Sequence, residues 1–131
     1  MEQSKFNFRN RLKSFGFAFN GLRILFKVEH NAQIHLSAAV LVCLAGFIFD
    51  ISKLDWIVII IIIGLVFAME IVNSAIERIA DFISPERNEE IKKIKDLAAA
   101  AVFIMATTAV FAGMLIFLPK IITLLKNSTN V

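Results

Sequence analysis

The spacing of apolar and polar positions divides the chain into four helical segments. Leu12, Phe15, Phe19, Leu22 and Phe26 recur at offsets of three and four, which places them on one helix face. Lys13, Asn20, Arg23 and Lys27 fall largely elsewhere. A basic amphipathic helix over about 12–28 with an aromatic face fits the surface of a bilayer. The other reading, a helix packed on a soluble core, finds no such core in the rest of the chain. Three long apolar runs follow and predict membrane spans over about 32–50, 55–79 and 96–119. A helix needs ~20 residues to cross ~30 Å of hydrocarbon, so the short apolar run from Ile34 to Phe49 borrows its neighbours. The polar stretch Asp50 to Asp55 reads as a turn, and Trp56 as an interfacial anchor. Ser84-Pro85 breaks the second pattern, and Pro119 with Lys120 ends the third before a polar tail. Residues 1–10 are polar and expected to fray. The expected fold is an all-α membrane protein, one domain over 1–131.

Composition agrees with that pattern. Hydrophobic residues make up 58% of the 131, and the mean hydropathy is +0.75. A soluble domain carries about 45–50% apolar residues, and a chain this short cannot enclose the excess in its own core. The net charge of +3 would suggest nucleic acid in a soluble protein. Here the basic residues flank the spans, no aromatic–basic strip is interleaved, and no nucleic-acid partner is expected. The segment through Lys27 holds six Lys and Arg, the 78–95 loop five, the 50–55 turn Lys53 alone, and the tail Lys120 and Lys126. The positive-inside rule puts the N-terminus and the 78–95 loop in the cytoplasm, and three crossings put the C-terminus outside. The basic N-terminal segment has no signal-peptide pattern. Cys43, the single cysteine, reads as a small core hydrophobe, and no Cys/His metal spacing occurs.

Chemistry concentrates on the second span. Glu70, Asn73, Glu77 and Asp81 lie at offsets 0, 3, 7 and 11. At ~100° per residue the three acids fall within ~40° of one another, with Asn73 beside them. Fourteen uncharged residues precede Glu70. An acid that deep costs several kcal/mol unless paired, neutralised or hydrated, so function is the better reading for Glu70. For Asp81 an ordinary solvated helix end competes. Glu29 opens the first span at a depth similar to Glu77, and two carboxylates at one level can hold Mg2+ with phosphate oxygens completing its shell. Glu29 alone would read as a solvated charge. Lys95-Asp96 opens the third span, where the lysine suits a phosphate and a topology anchor equally. His35 reads as an interhelical hydrogen bond rather than a ligand. No P-loop, dinucleotide fingerprint or Ser-His-Asp order is present.

Phe19-Asn-Gly-Leu-Arg23, Glu29-His-Asn31, Ile34-His35, Glu70-Ile-Val-Asn-Ser-Ala-Ile-Glu77, Asp81 and Lys95-Asp-Leu-Ala-Ala-Ala-Ala-Val102 together resemble the small prokaryotic diacylglycerol kinase family, which includes the undecaprenol kinases. The resemblance covers roughly residues 15–120. It implies a homotrimer of three-span subunits with shared active sites in the bacterial cytoplasmic membrane, moving the γ-phosphate of MgATP to a lipid hydroxyl. It implies Glu70 as general base, Glu29 and Glu77 as magnesium ligands, and Glu86, Arg87, Asn88, Lys95 and Asp96 as nucleotide contacts alongside those two acids. Phe17 stands where an aromatic nucleotide-stacking residue occurs in the family, and ordinary surface packing explains it equally. Arg23, Asn73 and Ala99 are implied, with Glu70, to bind or support the substrate. Where some family members have an N-terminal arginine, this chain has Asn10 between Arg9 and Arg11, and either neighbour can take that role. Diacylglycerol, giving phosphatidic acid, is taken as the acceptor and undecaprenol as the alternative, to which Asn31, Ile34 and His35 are the closer match. A non-enzymatic scaffold or a small transporter subunit is the competing class. It would not require Glu29, Glu77 and Lys95-Asp96 on one membrane side.

Overall fold

The computed structural model of the chain describes residues 8–86 and 88–129. Four helices follow one another: α1 (Phe8–Val28), α2 (His30–Ile48), α3 (Lys53–Ile83) and α4 (Glu89–Thr129). No strand occurs among the described residues. α2, α3 and α4 are each long and apolar enough to cross a membrane. At 1.5 Å per residue the 19 residues of α2 reach about 28 Å, close to the hydrocarbon thickness. The 31 residues of α3 reach about 46 Å. Its polar last turns therefore project beyond the apolar layer.

α3 pairs most extensively with α4, while α2 and α1 rest on α3. The aromatic face of α1 is largely open: Phe15 and Phe19 are exposed, and only Leu25 and Phe26 dock at its end. Phe26 meets Phe67 of α3 edge to face, with ring centroids 5.4 Å apart. Exposed phenylalanines in a row suit a helix lying in a membrane interface. α1 and α2 are separated by one residue. Glu29 adopts extended backbone angles at the N-cap of α2, yet its side chain makes no capping bond. Gln33 Nε2 donates to the Phe26 carbonyl at 3.1 Å and holds the two helices across that break.

The α2–α3 turn is fixed by local chemistry. Asp50 takes the left-handed region at φ 45°, which short polar side chains tolerate better than most. Ser52 and Asp55 form a reciprocal capping box: the Asp55 N–H donates to Ser52 Oγ at 3.2 Å, and the Ser52 N–H donates to Asp55 Oδ2 at 3.1 Å. Trp56 lies against Phe47 and the backbone of Gly46.

α4 differs from the expectation in one respect. It does not end at Pro119–Lys120 but continues to Thr129. Proline removes one helix hydrogen bond without forbidding the helix. The segment after it, with Ile121, Ile122, Leu124 and Leu125, still carries a helical apolar pattern. Lys120 is engaged, its Nζ donating to the carbonyls of Phe49 and Asp50 at 3.3 Å each. The α3–α4 connection is also tighter than the 78–95 loop expected. Helix persists through Ile83 and resumes at Glu89, leaving the break at Ser84-Pro85.

Candidate functional site

Glu70 is the largest fully buried side chain among the described residues, with 2% exposure. It sits on α3 in the half that leads toward the α1–α2 junction, where Asn73 and Ser74 are also buried. Ala32 of α2, fully enclosed, is small enough to bring the backbones close there. His35 Nε2 of α2 approaches Glu70 Oε1 to 3.1 Å and is the polar side chain that faces this oxygen. Asn73 donates from Nδ2 to Glu77 Oε1 at 3.1 Å, while its own Oδ1 has no donor. Two buried acceptors thus lie within one turn of helix, Glu70 Oε1 facing His35 and Asn73 Oδ1 without a donor of its own. Each such group, left unpaired, costs about 1–3 kcal/mol, and water, a cation or a substrate hydroxyl relieves that cost.

The outer level is charged. Arg78 Nη2 donates to Glu29 Oε1 at 3.0 Å, linking residues 49 apart in sequence. Glu29 and Glu77 both lie within electrostatic reach of Glu70. The structure therefore gathers Glu29, His35, Glu70, Asn73, Glu77 and Arg78 where α2 and α3 meet under α1. Farther along, Lys95 pairs with Asp81, joining α4 to the end of α3. This gives Asp81 a structural partner. Lys92 takes Asp96 at 3.1 Å within α4, and Lys93 takes Glu90 at 2.6 Å.

Other residues expected at the site are not gathered within the single chain. Phe17 is 75% exposed on α1, and Arg23 is exposed there too. Glu86, Asp96 and Ala99 are exposed. Asn88 caps α4, its Oδ1 accepting the Glu90 N–H at 2.9 Å. Arg87 lies outside the described residues, as do the side chains of Arg9, Asn10 and Arg11. Arg78 is the residue that sequence reasoning missed. It stands beside Glu77 but had been counted only as a topology charge. His35, read from the sequence as an interhelical hydrogen bond, reaches across to α3, where it lies 3.1 Å from the buried acid.

An apolar cavity of about 540 Å³ opens between α2, α3 and α4. It runs from His35 past Val42, Ile63 and Ala109 to Phe117 and Ile121. His35 alone among its lining residues carries a polar side chain. The site thus joins a greasy slot to a polar cluster through the His35–Glu70 contact. Such an arrangement can hold an amphiphile by its tail while presenting its head to a carboxylate.

No group of three or more metal-binding side chains occurs among the described residues. Mg2+ takes one or two carboxylates and fills its shell with water and phosphate oxygens, so it would not need such a group. Glu29 would fit such a role with a carboxylate that is unused for capping, although Arg78 holds its Oε1 in this structure. Glu77, which accepts from Asn73 Nδ2, would offer a second hard oxygen donor.

Comparison with known proteins gives a consistent picture. The family model for prokaryotic diacylglycerol kinase matches residues 16–117. The chain is 38% identical over 109 residues to the undecaprenol kinase of Bacillus subtilis, covering 83% of this chain and 89% of that protein. It is 32% identical over 117 residues to a diacylglycerol kinase of Synechocystis, covering 88% and 67% respectively. It is 30% identical over 110 residues to the diacylglycerol kinase of Escherichia coli, covering 84% and 90%.

Proposed function

The chain belongs to the prokaryotic diacylglycerol kinase family of bacterial membrane lipid kinases, and from that premise we propose that Glu70 is the general base of the transfer. The enzyme moves phosphate from ATP to a lipid alcohol, diacylglycerol or undecaprenol. The observation that carries the proposal is the buried Glu70 carboxylate, 3.1 Å from His35, the polar residue that lines the end of the apolar cavity. A lipid whose chain lies in that cavity presents its hydroxyl to the carboxylate. As the hydroxyl oxygen attacks the γ-phosphorus, its proton passes to Glu70 and ADP departs with the bonding electrons.

Phosphoryl transfer depends on positioning and charge neutralisation more than on covalent help. Glu29 and Glu77 would hold Mg2+, which neutralises the phosphate oxygens when bound. Asn73 orients Glu77 through its Nδ2 donor. Lys95 and Asp96, with Glu86, Arg87 and Asn88 of the connection and Phe17 of α1, form the nucleotide side. Arg23 and Ala99 support the lipid side. Several of these residues are exposed in the single chain, apart from Glu70. That distribution supports a homotrimer in which neighbouring subunits complete each site. The basic N-terminal segment and the α3–α4 connection face the cytoplasm, where ATP is, and the C-terminus lies outside.

Undecaprenol is the acceptor we place first, on the 38% identity to an undecaprenol kinase against 30–32% for the two diacylglycerol kinases compared. The resemblance of Asn31, Ile34 and His35 points the same way. Diacylglycerol stands second. Labelled ATP offered to the purified protein with both lipids in competition tests this reading, with Glu70→Gln in parallel. Label should enter undecaprenol preferentially. Glu70→Gln should cut transfer by about 10²–10⁴, the usual contribution of a general base. Transfer that survives Glu70→Gln undiminished would sink the base assignment, and preferential labelling of diacylglycerol would reverse the acceptor order.

A further inference from the structure

A base that takes a proton must lose it before the next turnover. Glu70, 2% exposed, has little direct path to water. His35 is placed to supply one. Its Nε2 lies 3.1 Å from Glu70 Oε1, and its own side chain keeps 21% exposure. The other titratable groups within electrostatic reach of Glu70 are Glu29 and Glu77. Glu29 is engaged by Arg78 and Glu77 by Asn73. From α1 the residues docked nearby are Leu25 and Phe26, and α4 contributes apolar residues such as Ala106 and Ala109 to the cavity. Among the described residues His35 is therefore the group in contact with Glu70 that can accept a proton and is itself partly open, at the end of the cavity.

We propose that His35 is the proton exit of the kinase, carrying the proton from Glu70 Oε1 to water after each transfer. The proposal rests on Glu70 being the base. In the transfer itself the lipid O–H bond breaks, an O–P bond forms, and the bond from the γ-phosphorus to the ADP oxygen breaks. The proton stays on the Glu70 carboxyl. It then moves to the Nε2 lone pair of neutral His35, restoring the carboxylate. The imidazolium releases its Nδ1 proton to water, and the ring regains its starting tautomer by exchange with solvent. His35 acts through Glu70 and does not touch the phosphate, so it is a positioning residue for the proton rather than a catalytic one. An imidazole suits this task because one ring nitrogen can take a proton while the other gives one up.

The test is rapid-quench kinetics on the full chain in detergent micelles with Mg2+, radiolabelled ATP and saturating undecaprenol or diacylglycerol, whichever the competition assay selects. His35→Gln keeps a polar side chain of similar reach but cannot relay a proton. It should complete its first turnover within about twofold of the parent rate, then slow at least tenfold in steady state, giving a burst of one product per site. Free imidazole should restore the steady state of His35→Ala. A steady state unchanged in His35→Gln would overturn the proposal. So would a first turnover slowed in step with the steady state, which marks a merely structural residue. If His35→Gln fails to insert and purify, His35→Asn and the imidazole response of His35→Ala read out the same point. Glu70→Gln separates the two ideas: it should show no first turnover. A normal first turnover in Glu70→Gln removes the base and the exit together. A silent Glu70→Gln beside an unchanged His35→Gln removes the exit alone.

Discussion

Arg78 Nη2 stands 3.0 Å from Glu29 Oε1, so the residue that opens α2 is tied to the far end of α3. The two side chains are 51% and 25% exposed. An ion pair that open contributes at most about 1 kcal/mol to stability. Its larger effect is on the acid. A guanidinium at hydrogen-bond distance competes with any cation for the same carboxylate.

Arg78→Ala should therefore leave thermal stability within about 1 kcal/mol of the parent. Removing a competing charge worth ~1 kcal/mol should lower the Mg2+ concentration for half-maximal activity by about fivefold. A magnesium titration of turnover checks this. An unchanged midpoint would show that Glu29 does not meet the metal, or that Arg78 leaves it when metal binds.

Lys95 and Asp81 form an ion pair across the α3–α4 connection, and only one of them is expected to matter for turnover. If Lys95 contacts phosphate, Lys95→Met should raise KM for ATP about tenfold or more, the loss of one charge-assisted contact of roughly 1.5–3 kcal/mol. Asp81→Asn should change KM by less than about threefold, since an exposed partner adds little. Equal effects from both substitutions would mean that the pair itself, rather than the lysine, is what the site needs.

Gly46 of α2 lies directly against the Trp56 ring at the start of α3. A Cβ added there would stand 2.9 Å from Trp56 Cη2 and Cζ2 and 3.1 Å from Ile51 Cδ1. Ring atoms cannot give way as a flexible chain end can, so Gly46→Ala should cost about 1–3 kcal/mol by overpacking. Its effect should appear in thermal unfolding more than in KM, because Lys53 and its neighbours begin α3 far from Glu70. Gly46→Ala combined with Trp56→Leu should regain part of the loss. A double substitution no better than the sum of the two would show that the clash is relieved elsewhere.

The three spans were legible because each is a long apolar run, and lipid imposes that composition whatever the neighbours are. The acidic stripe was legible because helical period alone puts Glu70, Glu77 and Asp81 on one face. What each acid touches was not. Glu29 and Arg78 are 49 residues apart, and nothing in local spacing pairs them. The run of α4 through Pro119 was missed because proline was read as a stop, although Ile121, Ile122, Leu124 and Leu125 continue the apolar pattern beyond it. Asn88 carried a readable signal, a capping residue before Glu89 and Glu90.

The separation of the site residues leads to the last prediction. Glu70 is buried against α2, whereas Asp96 and Ala99 of α4 are exposed in the single chain. If one subunit supplies Glu70 and its neighbour supplies Lys95 and Asp96, defects in the two halves should complement. Assayed at ATP well below the raised KM, subunits carrying Glu70→Gln should be inactive as a pure assembly and subunits carrying Lys95→Ala at least tenfold impaired. Unfolded together and reassembled in mixed micelles, they should regain activity, because some interfaces then pair an intact Glu70 with an intact Lys95. For a trimer mixed in equal parts, each interface has about a one-in-four chance of being intact by random assortment, so recovery near a quarter of the parent is expected. Mixing intact assemblies without reassembly should recover nothing, which controls for exchange. No recovery after reassembly would place all of these residues in one subunit's own site.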